Sequence, residues 1–198
     1  MTTLVLLRHA PTAYNASGRL QGSLDIPLAD AGRLAADAAA GALVRRYGAG
    51  LRVVSSPLAR ARDTAAAVAR AAGVELALED ALTQRRYGVW EGLTWDEIER
   101  RWPEQYMVRR DGGEPEIDGW ESTAAVAERV GAGLRAHAGD GVTVAVSHGS
   151  AIGGGIHDLL GISPDLRVLG RLAHAHWVEL EGRPDGTWRL AGYGLGED

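Results

Sequence analysis

Thr3-Leu4-Val5-Leu6-Leu7-Arg8-His9 is an unbroken apolar run that ends in a guanidinium and an imidazole. Such a run reads as a strand buried on both faces that delivers polar residues at its carboxyl end. Val142 to Ser147, the most β-branched stretch of the chain, repeats the design and ends in His148-Gly149. Between and behind these runs, helical and strand patterns alternate. Leu28 to Tyr47 is rich in Ala, Leu and Arg, with apolar residues at 35, 38, 39, 42 and 43, and predicts a helix. Leu51 to Ser55 predicts a strand, Pro57 to Ala72 a helix stopped by Gly73, and Glu75 to Leu78 a further strand. Asp80 to Gly92 reads as an irregular loop, and Thr94-Trp95-Asp96-Glu97 is a capping box opening a helix to Trp102. Helices are expected over Glu121 to His137 and Ala151 to Leu160. His176 to Leu180 and Thr187 to Tyr193 flank the turn Pro184-Asp185-Gly186, so the chain closes on an antiparallel hairpin. Strands alternating with helices imply a three-layer α/β/α sandwich around a mostly parallel sheet, in one domain spanning 1–198.

Composition narrows the chemistry. The chain has 198 residues, no Cys, and 21 basic residues, every one of them Arg. The absence of Lys excludes a Schiff-base lysine and the P-loop ammonium. The absence of Cys excludes a thiolate nucleophile, a disulfide framework and thiolate-ligated metals, leaving Ser, Thr, His, a carboxylate or activated water as nucleophile. A net charge of -5 argues against the basic surface that nucleic-acid binding needs, and no apolar run reaches the ~18 residues of a membrane span. The expected partner is a small anionic ligand, with a homodimer allowed and a cytoplasmic location expected.

In an open parallel sheet, ligands bind beyond the carboxyl ends of the strands, and two strands here end in a polar pair containing His. The segment after the second strand, Ser55-Ser56-Pro57-Leu58-Ala59-Arg60-Ala61-Arg62, adds guanidinium groups at a helix opening. Two imidazoles and two or more Arg gathered on one rim suit an oxyanion, most simply phosphate.

These residues carry a resemblance. Leu6-Leu7-Arg8-His9-Ala10-Pro11-Thr12 with Asn15, Arg19-Leu20-Gln21-Gly22, Asp25-Ile26-Pro27-Leu28, Ser55 to Ala65, Tyr87-Gly88-Val89-Trp90-Glu91-Gly92 and Val146-Ser147-His148-Gly149 follow one another in order. This set is similar to the histidine phosphatase superfamily, in its cofactor-dependent phosphoglycerate mutase-like branch. The resemblance covers nearly the whole chain and implies a phosphoglycerate mutase-like fold. It makes His9 a nucleophile that forms a phosphohistidine, with Arg8, Asn15, Arg60 and His148 holding the phosphoryl oxygens. Gln21, Gly22 and Gly149 fall on the family's phosphate-binding segments, and Arg62 is expected at the surface. The implied activity is a phosphomonoesterase on a small phosphorylated metabolite, a sugar phosphate or a phosphoglycerate type, with no metal and no cofactor. The stretch at about 91–120 is expected to be a cap, shorter than the insertion of true mutases, where substrate choice lies. Most of its Trp residues are expected to pack it and most of its Arg residues to face solvent, while an Arg or two facing the crevice would favour a substrate with a second anionic group.

Two positions depart from the pattern. Ala10 follows the nucleophile where family members usually have Gly, which is acceptable if the backbone there need not take φ > 0. Gln84 stands where the resemblance implies a Glu that protonates the leaving oxygen, and an amide is no proton donor. Three explanations stay open: an introduced change, another acid with Glu91 the nearest, or a binding protein derived from an enzyme. A phosphoglycerate mutase is a further alternative. Gly153-Gly154-Gly155 lies a turn or more beyond His148 and is expected to allow close helix-to-sheet packing. His157, His174 and His176 have no spacing that makes a metal site.

Overall fold

The computed structural model describes residues 2–163, 166 and 168–196. Six strands form one sheet: β1 (Thr2–Arg8), β2 (Arg52–Ser55), β3 (Leu76–Leu78), β4 (Gly141–Ser147), β5 (Trp177–Gly182) and β6 (Trp188–Leu195). Their order is β3-β2-β4-β1-β5-β6. The first four are mutually parallel, while β5 runs antiparallel to β1 and β6 antiparallel to β5.

Alternation along the strands decides the layers. Val5, Leu7, Val53, Val144 and Val146 pack on the face that carries helices α2 (Asp30–Tyr47) and α3 (Ala59–Ala72). Leu4, Leu6, Val54 and Ala145 pack on the opposite face, under α6 (Thr123–His137) and α7 (Gly149–Leu160). Central strands buried on both faces have to be apolar throughout, which is why their sequence shows no polar alternation. The result is the expected α/β/α sandwich.

The small residues are placed by packing. A Cβ on Gly155 would lie 2.7 Å from Leu134 and 2.8 Å from Val130, and one on Gly154 3.2 Å from the Ala127 backbone. These glycines therefore admit close approach of α7 to α6, a helix–helix contact rather than the helix-to-sheet contact expected. A Cβ on Gly153 meets nothing. Helix α7 also starts two residues earlier than predicted, directly at Gly149 with His148 as its N-cap residue.

Over the carboxyl ends of the parallel strands lies a separate small core, in which Leu20, Trp90 and Ile98 are buried and Tyr87, Trp102, Tyr106 and Trp120 pack around them. Burying a large apolar side chain contributes about 1.5–3 kcal/mol, so the fully buried Trp90 is a strong anchor. Three short helices and two 3₁₀ turns surround this region. Helix α1 (Ala13–Ala16) is closed by a Thr12–Asn15 capping box. Helix α4 (Trp95–Arg101) starts at the predicted Thr94–Glu97 box. Helix α5 (Pro103–Arg110) was not expected: Pro103 reads as a stop for α4, yet it sits at the first position of a new helix, where its missing N–H costs nothing. The stretch expected to be an irregular loop over 80–92 contains two 3₁₀ turns, Asp80–Leu82 and Gly88–Trp90.

Candidate active site

The register of β1 on β4 pairs Arg8 with Ser147 and so sets the two strand ends side by side. The His9 N–H then donates to the Ser147 carbonyl at 2.9 Å. The His9 and His148 rings lie 5.1 Å apart, centre to centre. A third imidazole, His174, meets His9 edge-on at 4.9 Å. In the sequence His174 is weighed only as a metal ligand, and its place beside His9 comes from the position just before β5. That strand is antiparallel to β1, so its beginning lies at the same rim as the parallel strands' ends. His174 is held there by a bond between its Nδ1 and the His9 carbonyl at 3.0 Å. The next residue, Ala175, is the one non-glycine with positive φ among the described residues, at +58°.

Hydrogen bonding selects the reactive atom. His9 is 3% exposed, and its Nδ1 lies 2.8 Å from the Ala10 carbonyl. A carbonyl only accepts, so Nδ1 carries the proton and a neutral His9 has its lone pair on Nε2. Burial pushes His9 well below the ordinary imidazole range, and the Arg60 and His174 charges act in the same direction. At neutral pH the ring is therefore uncharged, with its lone pair free on Nε2. Ala10 is fully buried and its φ is not positive, so no glycine is required there. Its N–H donates to Thr64 Oγ1 at 3.1 Å, and Thr64 in turn donates to the Arg60 carbonyl at 2.7 Å. The nucleophile's loop is thereby tied to the first turn of α3.

His9 opens onto a cavity of about 480 Å³ whose walls include Arg8, Asn15, Gln21, Arg60 and Gln84. Arg60 has no exposed surface and donates to the Leu24 and Gly22 carbonyls at 2.7 Å each, while its Nε has no partner among the described residues. Arg8 donates to the Leu172 carbonyl and likewise has an unpartnered Nε. Burial lowers both to about 10, with Arg171 adding to the effect at Arg8 and Asp25 opposing it at Arg60. Both remain cationic at pH 7.

The amides are turned into donors. The Thr12 N–H donates to Asn15 Oδ1 at 2.9 Å, and the Arg85 N–H donates to Gln84 Oε1 at 3.0 Å. A backbone N–H can only donate, so in both residues the oxygen faces protein and the NH₂ is the free end. Gln21 Oε1 lies 3.0 Å from the Thr12 hydroxyl. Such a wall suits an oxyanion.

The other expected residues take different places. His148 is fully buried behind His9, outside the cavity wall, with Nε2 at 2.9 Å from Ser56 Oγ and Nδ1 without a partner. Burial, followed by the charges of His9 and Arg60, pushes it far below the ordinary imidazole range. Gly149 begins α7, and the position of its missing Cβ lies 3.5 Å from the Arg8 guanidinium, which rests over the helix opening. Gly22 also lies behind the wall. Its φ is +52°, its carbonyl accepts from Arg60, and a Cβ there would fall 2.1 Å from Glu91 Oε1. Glu91 itself accepts from the Ser23 N–H at 3.0 Å, the Ser23 hydroxyl at 2.7 Å and the Tyr87 N–H at 2.9 Å. Arg62 is exposed and pairs with Asp63.

A second cavity of about 430 Å³ adjoins the first and shares Arg8, Gln84, Tyr87 and Arg171 with it. Its walls draw little on residues 91–120, the stretch expected to hold substrate choice. From that stretch only Arg109 lines it, with Trp95 lining the first cavity, whereas Arg85, His157 and Tyr193 come from elsewhere. Arg85 and Arg109 both stack on Trp120. Among the described residues no cluster of His, Asp and Glu could hold a metal ion.

The chain has relatives among named phosphatases and mutases. A glucosyl-3-phosphoglycerate phosphatase of Mycolicibacterium vanbaalenii is 37% identical, with 94% of this chain and 92% of the relative aligned. A probable phosphoglycerate mutase of Yersinia enterocolitica is 32% identical over 98% of this chain and 90% of its own. Among solved structures, a mycobacterial glucosyl-3-phosphoglycerate phosphatase complexed with VO3 superposes with a TM-score of 0.88 at 33% identity, covering 99% of this chain and 100% of that one. A phosphoserine phosphatase of Entamoeba histolytica in complex with 3-phosphoglyceric acid gives 0.81 at 27% identity, covering 98% and 96%. The family model described as histidine phosphatase superfamily (branch 1) matches residues 4–195, and the chain belongs to that family.

Proposed function

We propose that this chain is a metal-independent phosphatase of a small phosphorylated metabolite, working in the cytoplasm through a phosphohistidine at His9. The observation that carries the reading is the bond from His9 Nδ1–H to the Ala10 carbonyl, which leaves Nε2 as the lone pair beside a cationic cavity. In the first step Nε2 attacks phosphorus and the bond to the leaving oxygen breaks. Arg8, Arg60 and the NH₂ ends of Asn15 and Gln21 stabilise the equatorial oxygens, whose charge needs fixed donors more than covalent help. His148 shares a hydrogen bond with Ser56 Oγ, which accepts from the Leu58 N–H, and so packs as a fixed imidazole directly behind His9. In the second step water attacks phosphorus, the P–N bond breaks and its electron pair returns to Nε2.

The helical segment at about 91–120 is read as the cap of this one domain. Sugar phosphates and phosphoglycerate-type compounds fit the cationic second cavity, and the relatives' names favour the latter. The test is rapid acid or base quench during turnover. An acid-labile, base-stable phosphoryl group on the protein, lost in His9→Ala, is expected, and a phosphoserine would overturn the assignment.

A further inference from the structure

Breaking a bond to an alkoxide requires a proton at the leaving oxygen, whereas a carboxylate, a phosphate or a phenolate departs as a stable anion. The walls of both cavities, among the described residues, contain no Asp and no Glu. Gln84 borders both cavities, and the oxygen of its amide is held by the Arg85 N–H, so the end left to a ligand donates a hydrogen bond and no proton. Glu91, the alternative acid weighed from the sequence, is occupied by three donors of the protein. The two imidazoles beside His9, buried His148 and half-buried His174, do not hold a spare proton either, since desolvation keeps both neutral at pH 7.

We propose that Gln84 makes this site slow on the alkyl phosphates its cavities fit, the sugar and phosphoglycerate types included, and faster on phosphoryl groups with weakly basic leaving oxygens: mixed anhydrides with a carboxylic or phosphoric acid, and aryl or enol phosphates. The inference rests on the phospho-His9 reading. The first step balances without an acid. The Nε2 lone pair forms the N–P bond, the P–O electron pair leaves on oxygen, and the Nδ1 proton stays on its bond to the Ala10 carbonyl. In the second step the proton of the attacking water passes to the phosphate released. The Gln84 NH₂ contributes by hydrogen-bonding the departing oxygen, which lowers the barrier for an anion that is already stable and does little for one that must be protonated.

The test is a series of phosphoryl donors given to the full-length protein: acetyl phosphate, 4-nitrophenyl phosphate, phenyl phosphate and glycerol 3-phosphate. With Gln84 in place, kcat/KM is expected to fall steeply as the leaving oxygen becomes more basic. General acid catalysis is worth about 10²- to 10⁴-fold, so the gap between nitrophenyl and glycerol phosphate should exceed ~10² and should shrink by a comparable factor in Gln84→Glu. Hydrolysis of glycerol phosphate within about tenfold of nitrophenyl phosphate would overturn the proposal and make a hydroxyl such as that of Tyr87 the proton donor. The trapped phosphoprotein separates this failure from that of the parent reading. Its formation on His9 at similar rates from all four donors refutes the leaving-group preference alone, and its absence with every donor refutes both.

Discussion

Glu91→Gln distinguishes a carboxylate that holds a loop from one that gives a proton. Glu91 ties three donors: the Ser23 N–H, the Ser23 hydroxyl and the Tyr87 N–H. The loop it holds matters, because Arg60 in turn donates to the carbonyls of Gly22 and Leu24. A hydrogen bond to a charged group contributes about 1.5–3 kcal/mol and to a neutral one about half as much. Gln keeps Oε1 as acceptor for both N–H groups and sets its NH₂ against the Ser23 hydroxyl, which can accept. The loss should be about 1–2 kcal/mol, with part regained because water reaches Ser23. Glu91→Ala removes all three and should cost about 2–4 kcal/mol, with two N–H groups to be satisfied by water. Urea unfolding gives the stability change, and kcat on an alkyl and an aryl phosphate gives the functional one. If Glu91 holds the loop, both activities fall together in Glu91→Gln, by less than about tenfold, with the larger fall in Glu91→Ala. A selective loss of about 10² or more on the alkyl phosphate, with the aryl phosphate spared, would refute this account and make Glu91 the acid.

The remaining predictions concern charge, partition and structure. With cationic side chains supplying the positive field, activity should survive a chelator and be inhibited by vanadate, whereas loss on chelation restored by zinc or magnesium would count against the metal-free mechanism. Phosphate release from phosphoglycerate should exceed isomer exchange, and dominant exchange would identify a mutase instead. Because His9 is pushed below the ordinary imidazole range and reacts in its neutral form, the acid limb of kcat/KM should lie below pH 6.5; a limb at or above 7 contradicts it. Linkage has the same origin. His9 and His148 are lowered and His174 falls to about 4, so between pH 6.5 and about 4 the unfolded chain binds more protons than the folded one. Stability should therefore drop on acidification through that window, and an unchanged urea midpoint between pH 7 and 5 would refute it.

The elements that could be read from the sequence are those whose local pattern matches their tertiary environment. β1 and β4 are buried on both faces, so their apolar runs end where the sheet ends and their terminal polar residues mark the site. The Thr94–Glu97 box lies where it was predicted because a cap is a local interaction. Helix α5 was hidden because Pro103 is compatible with both a stop and a start, and only the packing of Trp102 and Tyr106 onto Trp90 and Ile98 chooses between them. His174 was hidden for a topological reason. Its position at the rim depends on β5 pairing antiparallel with β1, and the hairpin signal in the sequence says nothing about which strand the hairpin joins.

The chemistry of the site depends on a layer that no residue pattern expresses. Asn15, Gln21 and Gln84 each have a donor and an acceptor end, and composition alone leaves open which one a ligand meets. The Thr12 and Arg85 N–H groups settle Asn15 and Gln84, and the Thr12 hydroxyl occupies the oxygen of Gln21. The same principle governs His9, where the Ala10 carbonyl decides which nitrogen is free to attack. Thr12 therefore acts on the cavity through two amides. Its hydroxyl lies 3.0 Å from both Asn15 Oδ1 and Gln21 Oε1, yet it has a single proton, so it can donate to only one of them at a time. Asn15 Oδ1 keeps the Thr12 N–H when the hydroxyl turns to Gln21, so the hydroxyl is the adjustable part of this wall of donors.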